Sequence, residues 1–151
     1  MTSRLPLIIL AATFAGTVSA ASLKPEEQIK FRKAGYSFMA WNMGKIKGNL
    51  DGTYNRDEVV KAAAAVAAVS NSGLGGLYGA STDKDAGEAK TRVKPEFFQD
   101  QDKVKELAMA FNREANELAR VAAAGDAAAV KAQFGKTGET CKACHDKYRR
   151  D

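Results

Sequence analysis

The sequence predicts an all-α fold, an antiparallel four-helix bundle, and three features carry that reading. Four separate stretches place apolar residues at alternating steps of three and four, the spacing of a helix face that enters a bundle seam. No stretch shows the every-other-residue alternation of a half-buried strand. Only 3 prolines occur in 151 residues, which leaves room for long helices.

A leading segment stands apart from that pattern. Arg4 supplies a positive charge, Leu5 to Phe14 form an apolar run, and Val18-Ser19-Ala20 put small residues where a signal peptidase reads. The run is shorter than the roughly 20 residues needed to span a bilayer. Residues 1–20 are therefore expected to be a secretory signal peptide cleaved after Ala20, and residues 21–151 the bundle domain. Export to the periplasm follows, with no membrane span in the mature chain.

The first helix carries the stripe Ile29, Arg32, Tyr36, Met39, Met43, Ile46 and Leu50. Pro25 fits its first turn, Glu26 and Glu27 suit the positive end of the dipole, and Asp51-Gly52 closes it. Asn55 opens the second helix, with Glu58 placed for a capping box. Val59, Ala63, Val66 and Ser70 follow, a small-residue face suited to close approach. From Gly73 to Pro95 runs a long connection that includes the apolar patch Leu74-Gly75-Gly76-Leu77-Tyr78. Connections of that length are uncommon and tend to be functional or to wrap something. The third helix, capped near Asp100 or Asp102, presents Val104, Leu107, Phe111, Ala115, Leu118 and Ala122. Asp126 caps the fourth, whose stripe is Val130, Phe134, Thr137, Cys141, Cys144 and Tyr148.

Composition removes several classes of function. The chain has 23 Lys+Arg against 18 Asp+Glu, a formal net charge of +5, but its lysines are interleaved with acids. That is the pattern of solvated helix faces, so no nucleic-acid partner is expected. Two cysteines are too few for a disulfide scaffold, and a single histidine excludes a site built on a His cluster.

All three of those residues fall in one motif, Cys141-Lys142-Ala143-Cys144-His145, the C-x-x-C-H attachment signature of c-type haem. On a helix, residues i and i+3 share a face, so two thiols can reach the two vinyl groups along one porphyrin edge. His145 beside them can take an axial iron position. The expected cofactor is haem c, one per chain and covalently bound. Three rivals compete for the same residues. A thioredoxin-like pair would open a helix after a strand, zinc would lack a fourth ligand, and a C-x-x-C disulfide would constrain little.

The opposite iron face has no second histidine. Met39, Met43 and Met109 each offer a thioether, though a methionine in a helical stripe is more often core. Only six residues follow His145, too few for a downstream methionine loop. A five-coordinate iron is expected, a site for small gases as well as electrons. Arg32 and Tyr36 are the odd members of the first stripe. A buried guanidinium needs an anion, and a haem propionate supplies one; the alternative is an arginine that snorkels to solvent. Tyr36, one turn on, either covers the vacant iron face or is an ordinary core tyrosine. Gly35, Gly135 and Gly138 offer room for large neighbours. With Arg32, Tyr36 and Met39 facing inward, Phe31, Phe38 and Trp41 are left on the outer face, a patch that marks an interface.

The mature chain resembles the cytochrome c′ family from Leu23 to Arg149. The resemblance is carried by Lys24-Pro25-Glu26-Glu27, by Phe31-Arg32-Lys33-Ala34-Gly35-Tyr36, by Thr91-Arg92-Val93-Lys94-Pro95-Glu96, and by Cys141 to Arg149. The late position of C-x-x-C-H is its most specific part. It implies a periplasmic, high-spin haem protein, a homodimer through the first helix, with NO and CO as ligands. By matching position, Tyr36 becomes the distal residue, Arg32 meets a propionate, and Arg149 lies on the proximal side near His145. From the long connection only Arg92 is carried over. Lys33 stands where the family often has glutamine. Electron transfer to a periplasmic redox partner and a dedicated role as NO trap, carrier or sensor both remain open. An enzyme is not expected, because a peroxidase would want a distal histidine.

Overall fold

The computed structural model describes residues 23–151, so the signal-peptide reading of residues 1–20 lies outside the described part of the chain. Helix α1 spans Pro25–Asp51 and α2 Arg56–Ser70; a 3-10 turn follows at Leu74–Leu77. A single turn, α3 (Glu96–Gln99), leads into α4 (Gln101–Ala124) and α5 (Ala127–Tyr148). The four long helices form the antiparallel bundle that their stripes predict, α1 against α2, α2 against α4, and α4 against α5. The fourth seam differs, because α1 and α5 touch only sparsely. Among the described residues β pairing is limited to two isolated bridges, Ala86 with Ala89 and Val93 with Arg149. No helix among them is long and apolar enough to cross a membrane.

The helix starts follow the sequence with two corrections. Asn55 Oδ1 accepts the Glu58 N–H at 3.2 Å, as expected of a cap. The reciprocal half of the capping box is missing, because Asn49 in the last turns of α1 intercepts it. Asn49 Nδ2 donates to the Glu58 carboxylate at 2.7 Å, and the Asn55 N–H donates to Asn49 Oδ1 at 2.8 Å. The box has become a tie between α1 and α2. Asp100 precedes α4 but makes no side-chain cap. Its carboxylate instead accepts from Lys147 Nζ and the Tyr148 hydroxyl, each at 2.6 Å, which clamps the start of α4 to the end of α5. Asp126 caps α5 as predicted, accepting from Ala128 and Ala129 N–H at 2.9 and 3.3 Å. Gly125 before it lies at φ +87°, and a Cβ there would stand 2.3 Å from Arg56 Nε. The left-handed φ favours glycine at that joint, and any side chain there would also have to displace the Arg56 guanidinium.

The core is concentrated at one end. Ile46, Val59, Ala62, Ala63, Leu118, Ala122 and Val130 are fully buried together, with Met43, Leu50, Tyr54 and Phe134 against them. Each large aliphatic side chain there contributes about 1.5–3 kcal/mol by leaving water. Toward the other end the same stripes continue, yet Val104, Leu107, Phe111, Cys141 and Cys144 are only half-buried. Two buried asparagines escaped the sequence reading. Asn42 and Asn49 of α1 each donate to the carbonyl four residues back, at 2.9 and 3.0 Å, which satisfies an amide that burial would otherwise strand.

Candidate haem-binding site

The end of α5 sets Cys141 and Cys144 three residues apart on one face, both free and both half-buried. Burial pushes both thiols up from their ordinary range, so they rest protonated at neutral pH. A thioredoxin-like cysteine needs the opposite shift and a helix start, and neither is present. Among the described residues no three His, Cys, Asp or Glu side chains are grouped to hold a metal ion by themselves, which leaves zinc without a cage.

His145 follows directly and stands exposed. The protein on the helix side of the ring removes enough water to lower its pKa, the nearby Arg92 charge lowers it further, and Asp146 opposes. The imidazole is therefore neutral at neutral pH, the form that ligates iron. Arg149 reaches the same ring, with Nη1 3.3 Å from His145 Nδ1. Arg92 arrives from far along the chain by backbone pairing. The Lys94 N–H donates to the Tyr148 carbonyl at 2.9 Å, and the Arg150 N–H donates to the Arg92 carbonyl at 2.7 Å. These bonds lay residues 92–94 antiparallel to the chain leaving α5.

Across the loose seam, α1 presents Arg32 and Tyr36. Arg32 is 3 % exposed, so it does not snorkel. The long connection supplies neutral acceptors to it. Nη1 donates to Thr82 Oγ1 at 2.8 Å and to the Leu77 carbonyl at 3.3 Å; Nη2 donates to the Thr82 carbonyl and to Thr91 Oγ1, both at 2.6 Å. The geometry of the guanidinium is thereby satisfied, while among the described residues no carboxylate offsets its charge. Tyr36 is 40 % exposed, so it is not an ordinary core tyrosine despite its place in the stripe. Its hydroxyl accepts from the Tyr78 hydroxyl at 3.2 Å. Loss of water pushes the Tyr36 pKa up, and both Cys144 and Cys141 lie near enough to add to that shift. Tyr36 of α1 thus stands in the neighbourhood of the two thiols of α5.

Tyr78, Thr82 and Thr91 were not singled out as site residues by the sequence, although Tyr78 belongs to the apolar patch of the long connection. The Tyr78 ring stacks on Phe97 with centroids 4.4 Å apart, and the Arg32 guanidinium lies 4.6 Å from its centroid. Gly35 lets this connection approach α1: a Cβ there would stand 3.1 Å from Leu74 Cδ2. The methionines separate clearly. Met39 is 5 % exposed, Met43 packs against the closed core, and Met109 is 55 % exposed and no part of a core.

The residues fit haem c. Two thiols at i and i+3 with an adjacent neutral imidazole are the donor set the group requires. Gly135 and Gly138, one and two turns before the thiols on α5, have nothing within 4 Å of a built Cβ, which suits the close approach of a flat macrocycle. A buried guanidinium lacking a counter-ion suits a propionate.

The sequence profile of the Cytochrome C' family matches residues 27–149. The cytochrome c′ of Allochromatium vinosum is 56% identical over 141 residues, 93% of this chain and 92% of that one. Among solved structures, the cytochrome c′ of Thermochromatium tepidum superposes with a TM-score of 0.85 at 59% identity, covering 87% of this chain and 100% of that one. A second structure matches at a TM-score of 0.85 and 58% identity, again over 87% and 100%. It is of a cytochrome c′ described as having an unusual ligand-controlled dimer dissociation.

Proposed function

Because the chain belongs to the cytochrome c′ family, a family of haem c proteins, we propose that it is a periplasmic, non-enzymatic haem protein that carries electrons and binds NO and CO. The observation that carries this reading is the placing of two free cysteines, Cys141 and Cys144, three residues apart on α5 with His145 directly after them, in a chain whose residues 27–149 match the family. Haem c, when bound, supplies a redox-active iron with a coordination position open to small gases. The chain's own residues do the rest. Cys141 and Cys144 would hold one haem per chain through thioether bonds, and His145 would offer its neutral imidazole to the iron. Arg32 brings a charge to meet a propionate. Arg149 and Arg92 bring two more cations to the His145 side. Tyr36 would lay its ring over the face away from His145 and keep water and ligands from it.

Phe31, Phe38 and Trp41 support a homodimer through α1. They are 55, 47 and 58 % exposed along its outer face, a patch too apolar for a solitary helix. The ligand-controlled dimer of the similar protein supports the same reading. Sedimentation at tens of micromolar should give a dimer, and Trp41→Lys a monomer; a wild-type monomer would overturn the assembly.

Haem attachment and ligand binding are tested together. The mature protein should be heavier than its chain by one haem that acid–acetone does not extract. A gas must displace the Tyr36 ring, and each 1.4 kcal/mol or so of displacement weakens binding about tenfold. CO association with Tyr36→Ala should therefore exceed wild type by about tenfold or more. Equal rates would show that Tyr36 does not guard the iron.

A further inference from the structure

The site leaves one contact of Tyr36 without a role. Tyr36 is 40 % exposed on the surface of α1. A phenol on a helix surface samples several rotamers unless something beyond the helix fixes it. The hydroxyl of Tyr78 is bonded to it at 3.2 Å. Tyr78 is itself fixed on two sides, stacked on Phe97 at 4.4 Å and lying 4.6 Å under the Arg32 guanidinium. Phe97 is in turn braced edge-on by Tyr148, with centroids 5.8 Å apart. The Tyr148 hydroxyl is anchored on Asp100 at 2.6 Å. A continuous aromatic column therefore runs from the last turn of α5, through α3 and the long connection, to the hydroxyl of Tyr36.

We propose that Tyr78 is the positioning residue for Tyr36: with its ring held by Phe97 and Arg32, its hydroxyl latches the Tyr36 ring across the ligand face. The inference rests on Tyr36 covering that face. Opening the site then requires two events, breaking the phenol–phenol hydrogen bond and swinging the ring. Only the first belongs to Tyr78. A neutral hydrogen bond of this kind contributes modestly, so its removal should raise CO association about three- to tenfold.

The experiment uses ferrous holoprotein with CO as probe, in wild type, Tyr36→Ala, Tyr36→Phe, Tyr78→Phe and the double variant Tyr36→Ala/Tyr78→Phe. Tyr36→Phe and Tyr78→Phe delete the same hydrogen bond from opposite sides and should speed association to similar extents, less than Tyr36→Ala. In the Tyr36→Ala background Tyr78→Phe should add nothing. Fluorine NMR of 3-fluorotyrosine-labelled protein without CO supplies a reading independent of ligand binding. The Tyr36 resonance, assigned by its loss in Tyr36→Phe, should shift and sharpen in Tyr78→Phe as the ring is released. If Tyr36→Ala speeds binding while Tyr78→Phe leaves both rate and resonance unchanged, the latch is wrong and the Tyr36 reading stands. If Tyr36→Ala has no effect, the Tyr36 reading fails, and the latch with it. A Tyr78→Phe effect that persists in the Tyr36→Ala background would mean that Tyr78 acts through the shape of the loop, which also overturns the proposal.

Discussion

The two ends of this bundle are made from the same four stripes and are built in opposite ways. At the end where α1 finishes and α5 begins, seven aliphatic residues from all four helices bury one another completely. At the end where α1 begins and α5 finishes, the stripes continue in register, but Val104, Leu107, Phe111, Cys141 and Cys144 are only half-buried. Buried there are the polar residues Arg32, Thr82 and Thr91, beside Ile29 and an aromatic column that includes Phe97 and Tyr148. Stability resides in the first end and chemistry in the second. Helical periodicity alone cannot separate them, because it reports which face turns inward and not what that face meets.

The largest test of the contrast is all-or-none. Cys141→Ser/Cys144→Ser should yield protein with no acid-resistant haem, seen by mass and pyridine haemochrome. The aliphatic cluster at the other end should keep far-ultraviolet helicity largely intact; collapse of the helices would make the two ends interdependent. Next in size is Leu118→Ala in the closed end. A fully buried leucine truncated to alanine costs about 2–5 kcal/mol, read by denaturant unfolding, while the haem spectrum and CO association stay as in wild type. A changed CO rate would show that the core end reaches the iron.

Asp126→Ala removes the cap at the closed end of α5, where Oδ1 accepts two backbone N–H groups. It should cost about 1 kcal/mol. The smallest effect belongs to the clamp at the haem end. Lys147 first and Tyr148 second hold the Asp100 carboxyl below its ordinary range. A carboxyl depressed in the folded protein stabilises it above its unfolded pKa, and that contribution is lost as pH falls through the folded value. Asp100→Asn should therefore lower stability slightly at neutral pH and flatten the acid limb below the usual carboxylate range, measured by Tm against pH. An unchanged acid limb would show that Asp100 contributes nothing there.

Much of this was legible in the sequence, for definable reasons. Helix count, order and inward faces follow from three-and-four spacing, and the haem motif follows from five contiguous residues. Asp126 and Asn55 were legible as caps because capping is local. Asp100 was not, because the groups that claim its carboxylate lie 47 and 48 residues away. Asn49 was hidden for a similar reason, since a buried amide bonded four residues back looks like surface in a stripe. The partners of Arg32 lie in a connection with no periodicity. Its length signalled that it wraps something, but not that Thr82 and Thr91 would serve a guanidinium. Tyr36 was ambiguous by position, and only its exposure separates it from a core residue.

The reach of the Arg32 bonds has a consequence for the order in which the chain assembles. Its acceptors stand 45, 50 and 59 residues further along, whereas α4 and α5 are joined by two residues and α1 and α2 by four. Closing a long loop costs more entropy than closing a short one, and contacts distant in sequence form late. The two helical hairpins and their shared aliphatic end are thus expected to condense first. The strap over the seam between α1 and α5 draws tight last. Through that interval the two thiols of α5 stay within reach, so a chain already committed to its architecture still leaves Cys141 and Cys144 open to reaction.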